Sequence, residues 1–157
     1  VQRFRAFTLI EIALSIFILL LLLLLAVPSL SGVIANRRLK QSLDGFNQLV
    51  NQAQELSVTE RRPYLLAWGK NSILLRPEII AEDEEAKPTA VFRLGKGTSV
   101  KLLLPVALEG KHPAEWIFWP SGNCEPAIVQ FNGPAGTWTA NYSALTAQPV
   151  ITQYAAR

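Results

Sequence analysis

The sequence predicts an α+β fold in which a long N-terminal helix packs on an antiparallel β-sheet domain. Three observations predict it. Residues 7–27 are an almost unbroken apolar run, residues 39–56 place apolar side chains at spacings of mostly three and four, and from Tyr64 the pattern changes to short β-type runs between turn residues. With 157 residues, the chain has enough sequence beyond the apolar run for one small domain with a modest core. No internal repeat or low-complexity linker divides it.

The first half of the helix, FTLIEIALSIFILLLLLLLAV over 7–27, reaches about 30 Å at helical rise, the thickness of a bilayer's hydrocarbon. It is expected to be a transmembrane helix half. Glu11 does not suit a plain anchor, because a carboxylate inside a bilayer costs a few kcal/mol and persists mainly where it has a partner. Pro28 interrupts the segment as its apolar part ends. The second half, 28–62, is amphipathic: Leu39, Leu43, Phe46, Leu49, Val50, Ala53 and Leu56 alternate with Arg38, Lys40, Gln41, Asp44, Gln48, Gln52 and Glu55. Packing on the following domain explains that stripe. The helix should stop near Arg61, since Pro63 disfavours helix at Arg62 and cannot continue it.

The domain is expected over 63–157. Runs 64–68 and 72–76 flank Gly69-Lys70-Asn71 and read as a hairpin. The acidic run Glu82-Asp83-Glu84-Glu85 begins a solvated loop that continues to Pro88. Runs 91–94 and 99–104 flank Gly95-Lys96-Gly97. Strands at 115–119, 127–131 and 137–142 follow, with turns at 120–123 and 132–136. Residues 151–157 read as a tail whose one basic residue is Arg157.

Charge and composition exclude several functions. The net charge is +3, but residues 1–40 carry five basic residues against Glu11 alone, and residues 41–157 carry ten against eleven acidic. The domain is therefore near neutral and lacks the clustered cations of a nucleic-acid binder. Cys124 is the single cysteine, which rules out an intrachain disulfide and leaves a structural thiol as the default. His112, the single histidine, sits in a turn-like stretch. The run 82–85 lacks the spaced oxygen ligands and glycine of a calcium loop, and the 95–97 turn lacks the glycines of a phosphate loop. No catalytic residue, metal site or cofactor is expected. Alternation puts Trp116 and Phe118 on one face of their strand and Ile117 and Trp119 on the other, leaving a face open to a partner.

A cut before Phe7 gives the N-terminus a different meaning. Residues 1–6 form a basic leader with Arg3 and Arg5, the string Phe7-Thr8-Leu9-Ile10-Glu11 opens the apolar run, and Pro28 closes it. This resembles the type IV pilin and type II secretion pseudopilin family. The resemblance implies that a prepilin peptidase cleaves between Ala6 and Phe7, that Phe7 becomes N-methylated, and that Glu11, fifth from Phe7, pairs with the N-terminal amine of a neighbouring subunit during assembly. Pro28 falls where many members carry a helix-kinking proline. Members usually have Gly before the cut, and Ala6 is the smallest departure from it. Arg3 and Arg5 on one side face Arg37, Arg38 and Lys40 on the other, so charge alone does not orient the span. The resemblance does: it implies a single-pass inner-membrane protein with its C-terminal domain in the periplasm. A cleaved secretory signal is the competing reading, with Ala26 the opening for its exit site.

The C-terminal stretch sharpens the resemblance. Trp116-Ile117-Phe118-Trp119-Pro120-Ser121-Gly122, the apolar run from Ala127, Thr137-Trp138-Thr139 and Ala144-Leu145-Thr146 are similar to the end of the H-type (GspH/FimT-like) minor pseudopilin domain. That domain closes on a Leu-Thr-Gly motif, and Ala147 stands where the Gly is expected. The implied function is a non-enzymatic minor pseudopilin at or near the tip of a type II secretion pseudopilus. Its implied partners are other pseudopilins, the prepilin peptidase, the inner membrane and secreted cargo, while the charge balance of the domain speaks against nucleic acid. The alternative is a minor pilin of a type IV pilus or DNA-uptake apparatus.

Overall fold

The computed structural model describes residues 8–79, 87–105 and 114–157, with the backbone alone for 25–31. The expected leader 1–6, the cleavage pair Ala6 and Phe7, the acidic run 82–85 and His112 lie outside the described residues.

Helix α1 runs from Leu9 to Thr59, 51 residues, or about 75 Å at helical rise. It starts where Thr8 adopts extended backbone and its hydroxyl accepts a hydrogen bond from the Glu11 N–H. The helical range includes Pro28, although a proline removes one rung of the ladder. The two expected helix halves are thus one element. It ends two residues before Arg61: the Glu60 N–H bonds the Leu56 carbonyl at 2.9 Å, and Arg61 turns left-handed at φ 52° ahead of Pro63.

The single sheet expected from the sequence is two four-stranded antiparallel sheets. One has the order β3 (Ala90–Arg93), β2 (Ser72–Pro77), β1 (Tyr64–Trp68), β5 (Glu115–Phe118). The other has the order β4 (Ser99–Leu103), β6 (Ala127–Gly133), β7 (Gly136–Tyr142), β8 (Pro149–Ala156). The predicted β1–β2 hairpin forms, pairing Leu66 with Leu75. The runs around Gly95-Lys96-Gly97 part company, because β3 pairs with β2 while β4 pairs with β6. Alternation says which side chains share a face and leaves the neighbouring strand unspecified. The expected tail is also corrected, since 149–156 is the longest strand of the domain. Nearly every β8 side chain is exposed, so no buried face imposes the alternation by which a strand is read.

The expected apolar stripe is the helix's buried face: Leu39, Leu43, Phe46, Leu49, Val50 and Ala53 are all at most 5 % exposed. Phe46 is its centre. Its ring meets Trp68 and Phe92 from the β1 sheet at 6.5 and 5.7 Å, and Trp138 and Tyr142 from the β7 sheet at 5.7 and 6.0 Å. Both sheets therefore close on one helix face, and the Trp68 indole N–H joins them by donating to the Val100 carbonyl at 3.1 Å.

Candidate assembly surface

Among the described residues, nothing packs on α1 from Leu9 to Leu24. Side chains from Leu9 to Leu24 are exposed on every face, including Ile10 at 77 %, Phe17 at 62 % and Leu24 at 78 %. This described stretch is about 24 Å long, short of the ~30 Å of a bilayer's hydrocarbon. No helix is long and apolar enough to cross a membrane among the described residues.

Glu11 lies in the first turn, where the helix dipole favours an anion. Its N–H donates to Thr8 Oγ1 at 3.4 Å and its carbonyl accepts from the Ser15 hydroxyl at 2.7 Å. No cation pairs with its carboxylate among the described residues. Thr8 is a helix cap that the sequence reading passed over. Its signal was present: Thr8-Leu9-Ile10-Glu11 is the T-x-x-E pattern of a capped helix start. Within it, Glu11 supplies the backbone N–H that Thr8 caps. Pro28 is placed in the helix by its backbone, and Ala6 and Phe7 lie outside the described residues.

The second half of α1 is bonded to the domain along its whole length by polar side chains. The Trp138 indole N–H donates to Ser42 Oγ at 3.0 Å, the Tyr142 hydroxyl to Asn47 Oδ1 at 2.6 Å, and the Gln54 amide to the Gly122 carbonyl at 2.6 Å. Ser57 donates to the Trp119 carbonyl at 3.1 Å, and the Tyr154 hydroxyl, at the far end, to Asn36 Oδ1 at 2.8 Å. Burial pushes the Tyr142 hydroxyl well above its ordinary pKa, so it acts as a neutral donor. These polar positions fall beside the apolar stripe, and periodicity alone does not distinguish them from solvent-facing residues.

The strand expected to offer a free aromatic face does not. Trp116 and Phe118 are fully buried and Ile117 is 6 % exposed, so both faces of β5 are covered. Trp116 donates its indole N–H to the Glu125 carbonyl at 2.7 Å. Cys124 is buried beside it, and burial, followed by the charge of Glu125, raises its thiol pKa from 9.0 to about 11. It is a protonated structural thiol at neutral pH. No cluster of metal-ligating side chains occurs among the described residues.

The closing motif departs from a glycine pattern in sequence and keeps its geometry. Ala147 has φ 51°, the left-handed region that favours glycine, and its N–H bonds the Ser143 carbonyl at 2.8 Å. No family model and no curated protein matches the chain in sequence. Solved structures do match in shape. The type IV minor pilin FimU of Pseudomonas aeruginosa aligns at TM-score 0.55 and 12 % identity, over 74 % of this chain and 90 % of its own. The minor pseudopilin EpsH from the Type 2 Secretion System of Vibrio cholerae aligns at TM-score 0.55 and 14 % identity, over 73 % of this chain and 98 % of its own.

The fold is pilin-like.

A second crystal form of FimU gives TM-score 0.52. The pilin and the pseudopilin score alike, so the pilin-like domain does not by itself favour a pilus or a secretion machine.

Proposed function

We propose that the chain is a minor pseudopilin of a type II protein secretion system, a non-enzymatic subunit at or near the pseudopilus tip. One observation carries the reading: a helix that is apolar on all its faces, and carries a single carboxylate in its first turn, continues into the helix core of a pilin-like domain. Exposed apolar surface of this extent requires another apolar environment. The inner membrane supplies it before assembly, with 7–27 as the span and the domain in the periplasm. Neighbouring helices supply it in the filament.

In this reading the prepilin peptidase cuts between Ala6 and Phe7 and leaves a free amine at Phe7, which is then N-methylated. A Glu11 carboxylate that meets the amine of the next subunit loses much of its desolvation cost, and one left alone in the bilayer does not. Pairing therefore favours assembly inside the membrane. Pro28 relaxes the helix between its packed and inserted halves. Secreted cargo and the other minor subunits would meet the domain. The likeness to FimU, equal to that to EpsH, supports to the same degree a second reading, a minor pilin of a type IV pilus or DNA-uptake apparatus.

The test is co-expression with a prepilin peptidase, followed by N-terminal analysis and pull-down of partner pseudopilins. Phe7 should be the first residue, and Glu11→Val should insert normally while losing most co-purification. Recovery of only the uncut chain, or full co-purification of the variant, would defeat the reading. Tight, steeply salt-dependent binding of duplex DNA by the full chain would favour uptake instead.

A further inference from the structure

Among the described residues the two sheets have four edge strands, and β8 is unlike the other three. β3 and β5 have four residues each and β4 has five, whereas β8 has eight. Arg93 charges β3, Glu115 charges β5 and Lys101 charges β4. β8, PVITQYAA, has no charge at all. Folded proteins protect an edge by keeping it short, charging it, placing proline in it or covering it. In β8 the proline is at the first position only, and no strand lies beyond it among the described residues. One bulge, at Thr152, breaks its register against β7 without adding charge or cover.

The free edge also has a defined chemistry. The Arg157 N–H bonds the Ala135 carbonyl and the Gln148 carbonyl accepts from the Ser143 N–H, which fixes the residues that face β7 at each end. Alternation from those ends turns the backbone N–H and C=O of Ile151, Tyr154 and Ala156 outward. Ile151 and Tyr154 stand opposite the buried Ala140 and Trp138, yet are 48 % and 39 % exposed. They make an apolar shelf on the helix side of the edge, and Val150, 63 % exposed, lies on the other side.

We propose that the β8 edge is an interaction surface that takes an uncharged, extended strand of a different pilin-like subunit and so lengthens the β4-β6-β7-β8 sheet. The proposal rests on the assembly reading above and adds the surface it uses. A charged strand would bring an unpaired charge against Ile151 and Tyr154, which selects an uncharged one. Symmetry argues against an antiparallel β8–β8 pair of two copies. β7 runs in the same sense as α1, since Trp138 meets Ser42 and Tyr142 meets Asn47, and β8 is antiparallel to β7. Two copies joined β8 to β8 in antiparallel fashion would point their α1 helices in opposite directions, and subunits inserted in one membrane from one side cannot adopt that arrangement.

The test uses the full chain in detergent, alone and mixed with each other pilin-like subunit of the same cell, read by amide hydrogen exchange and co-purification. In one of these complexes the amides of Ile151, Tyr154 and Ala156 should exchange about tenfold more slowly or better. Ala156→Pro removes an outward donor that β7 does not use, and Val150→Lys charges the edge; each should lower complex yield by about tenfold. Val150→Lys also serves if the proline disturbs the strand end. A complex in which those three amides exchange as in the free chain overturns the edge proposal and leaves the assembly reading standing. Slow exchange in the chain alone, appearing with dimerisation, overturns the different-subunit occupant. Failure of every subunit to associate overturns both.

Discussion

The two halves of α1 share one backbone and differ in what their side chains meet. From Leu9 to Leu24 every apolar side chain faces outward, while from Leu39 to Ala53 the apolar face is sealed by both sheets. Fully burying one large apolar side chain contributes about 1.5–3 kcal/mol, so the second half is held by tertiary packing and the first half is not. From Leu9 to Leu24 that apolar surface stays exposed, and in the proposed assembly it is the surface for membrane and neighbouring helices. The polar bonds follow the same division. Ser42, Asn47, Gln54 and Ser57 tie the second half to the domain, and Thr8 and Ser15 bond only within the helix.

The largest expected effect is at the centre of the sealed face. Phe46→Ala should destabilise the domain by about 3–5 kcal/mol, read as a lower thermal midpoint by near-UV circular dichroism in detergent. Phe17→Ala, the matching change in the open half, should leave that midpoint in place. Equal losses from the two would erase the distinction between the halves. Ser42→Ala leaves the buried Trp138 indole N–H without its acceptor and should cost about 1–3 kcal/mol, with Ser42→Thr recovering part of it.

Thr8→Ala removes the helix cap and should cost about 1 kcal/mol, confined to faster amide exchange in the first turn with no change at β1 to β8. A spread of the effect into the sheets would show the halves to be coupled. The smallest effect is a pH dependence. Because folding raises the Cys124 thiol pKa from 9.0 to about 11, the neutral thiol's contribution is complete below pH 9.0 and is lost as pH rises towards about 11. Cys124→Ala should flatten that part of the stability profile in alkaline urea titrations.

Much of this architecture was legible before any coordinates. The helical stripe from Leu39 to Ala53, the stop ahead of Pro63 and the β1–β2 hairpin follow from local rules: a period near 3.6, a residue without an N–H, and a turn of the right length. The isolated carboxylate at Glu11 was legible for the same reason, being an exception to its own neighbourhood. The T-x-x-E cap at Thr8 was legible too and passed unread.

What the sequence alone determined is therefore the set of local choices: where the chain is helical, where it is extended, which helix face is apolar, and which half of the helix cannot be satisfied by the domain. Tertiary structure decided which strands are neighbours. It sent β3 and β4 to different sheets, made 149–156 an edge strand in place of a tail, covered both faces of β5, and put Ala147 in a glycine conformation. The physical reason is that periodicity records what each residue must bury, whereas strand pairing is made by backbone groups common to every residue, so the choice of partner falls to packing around Phe46.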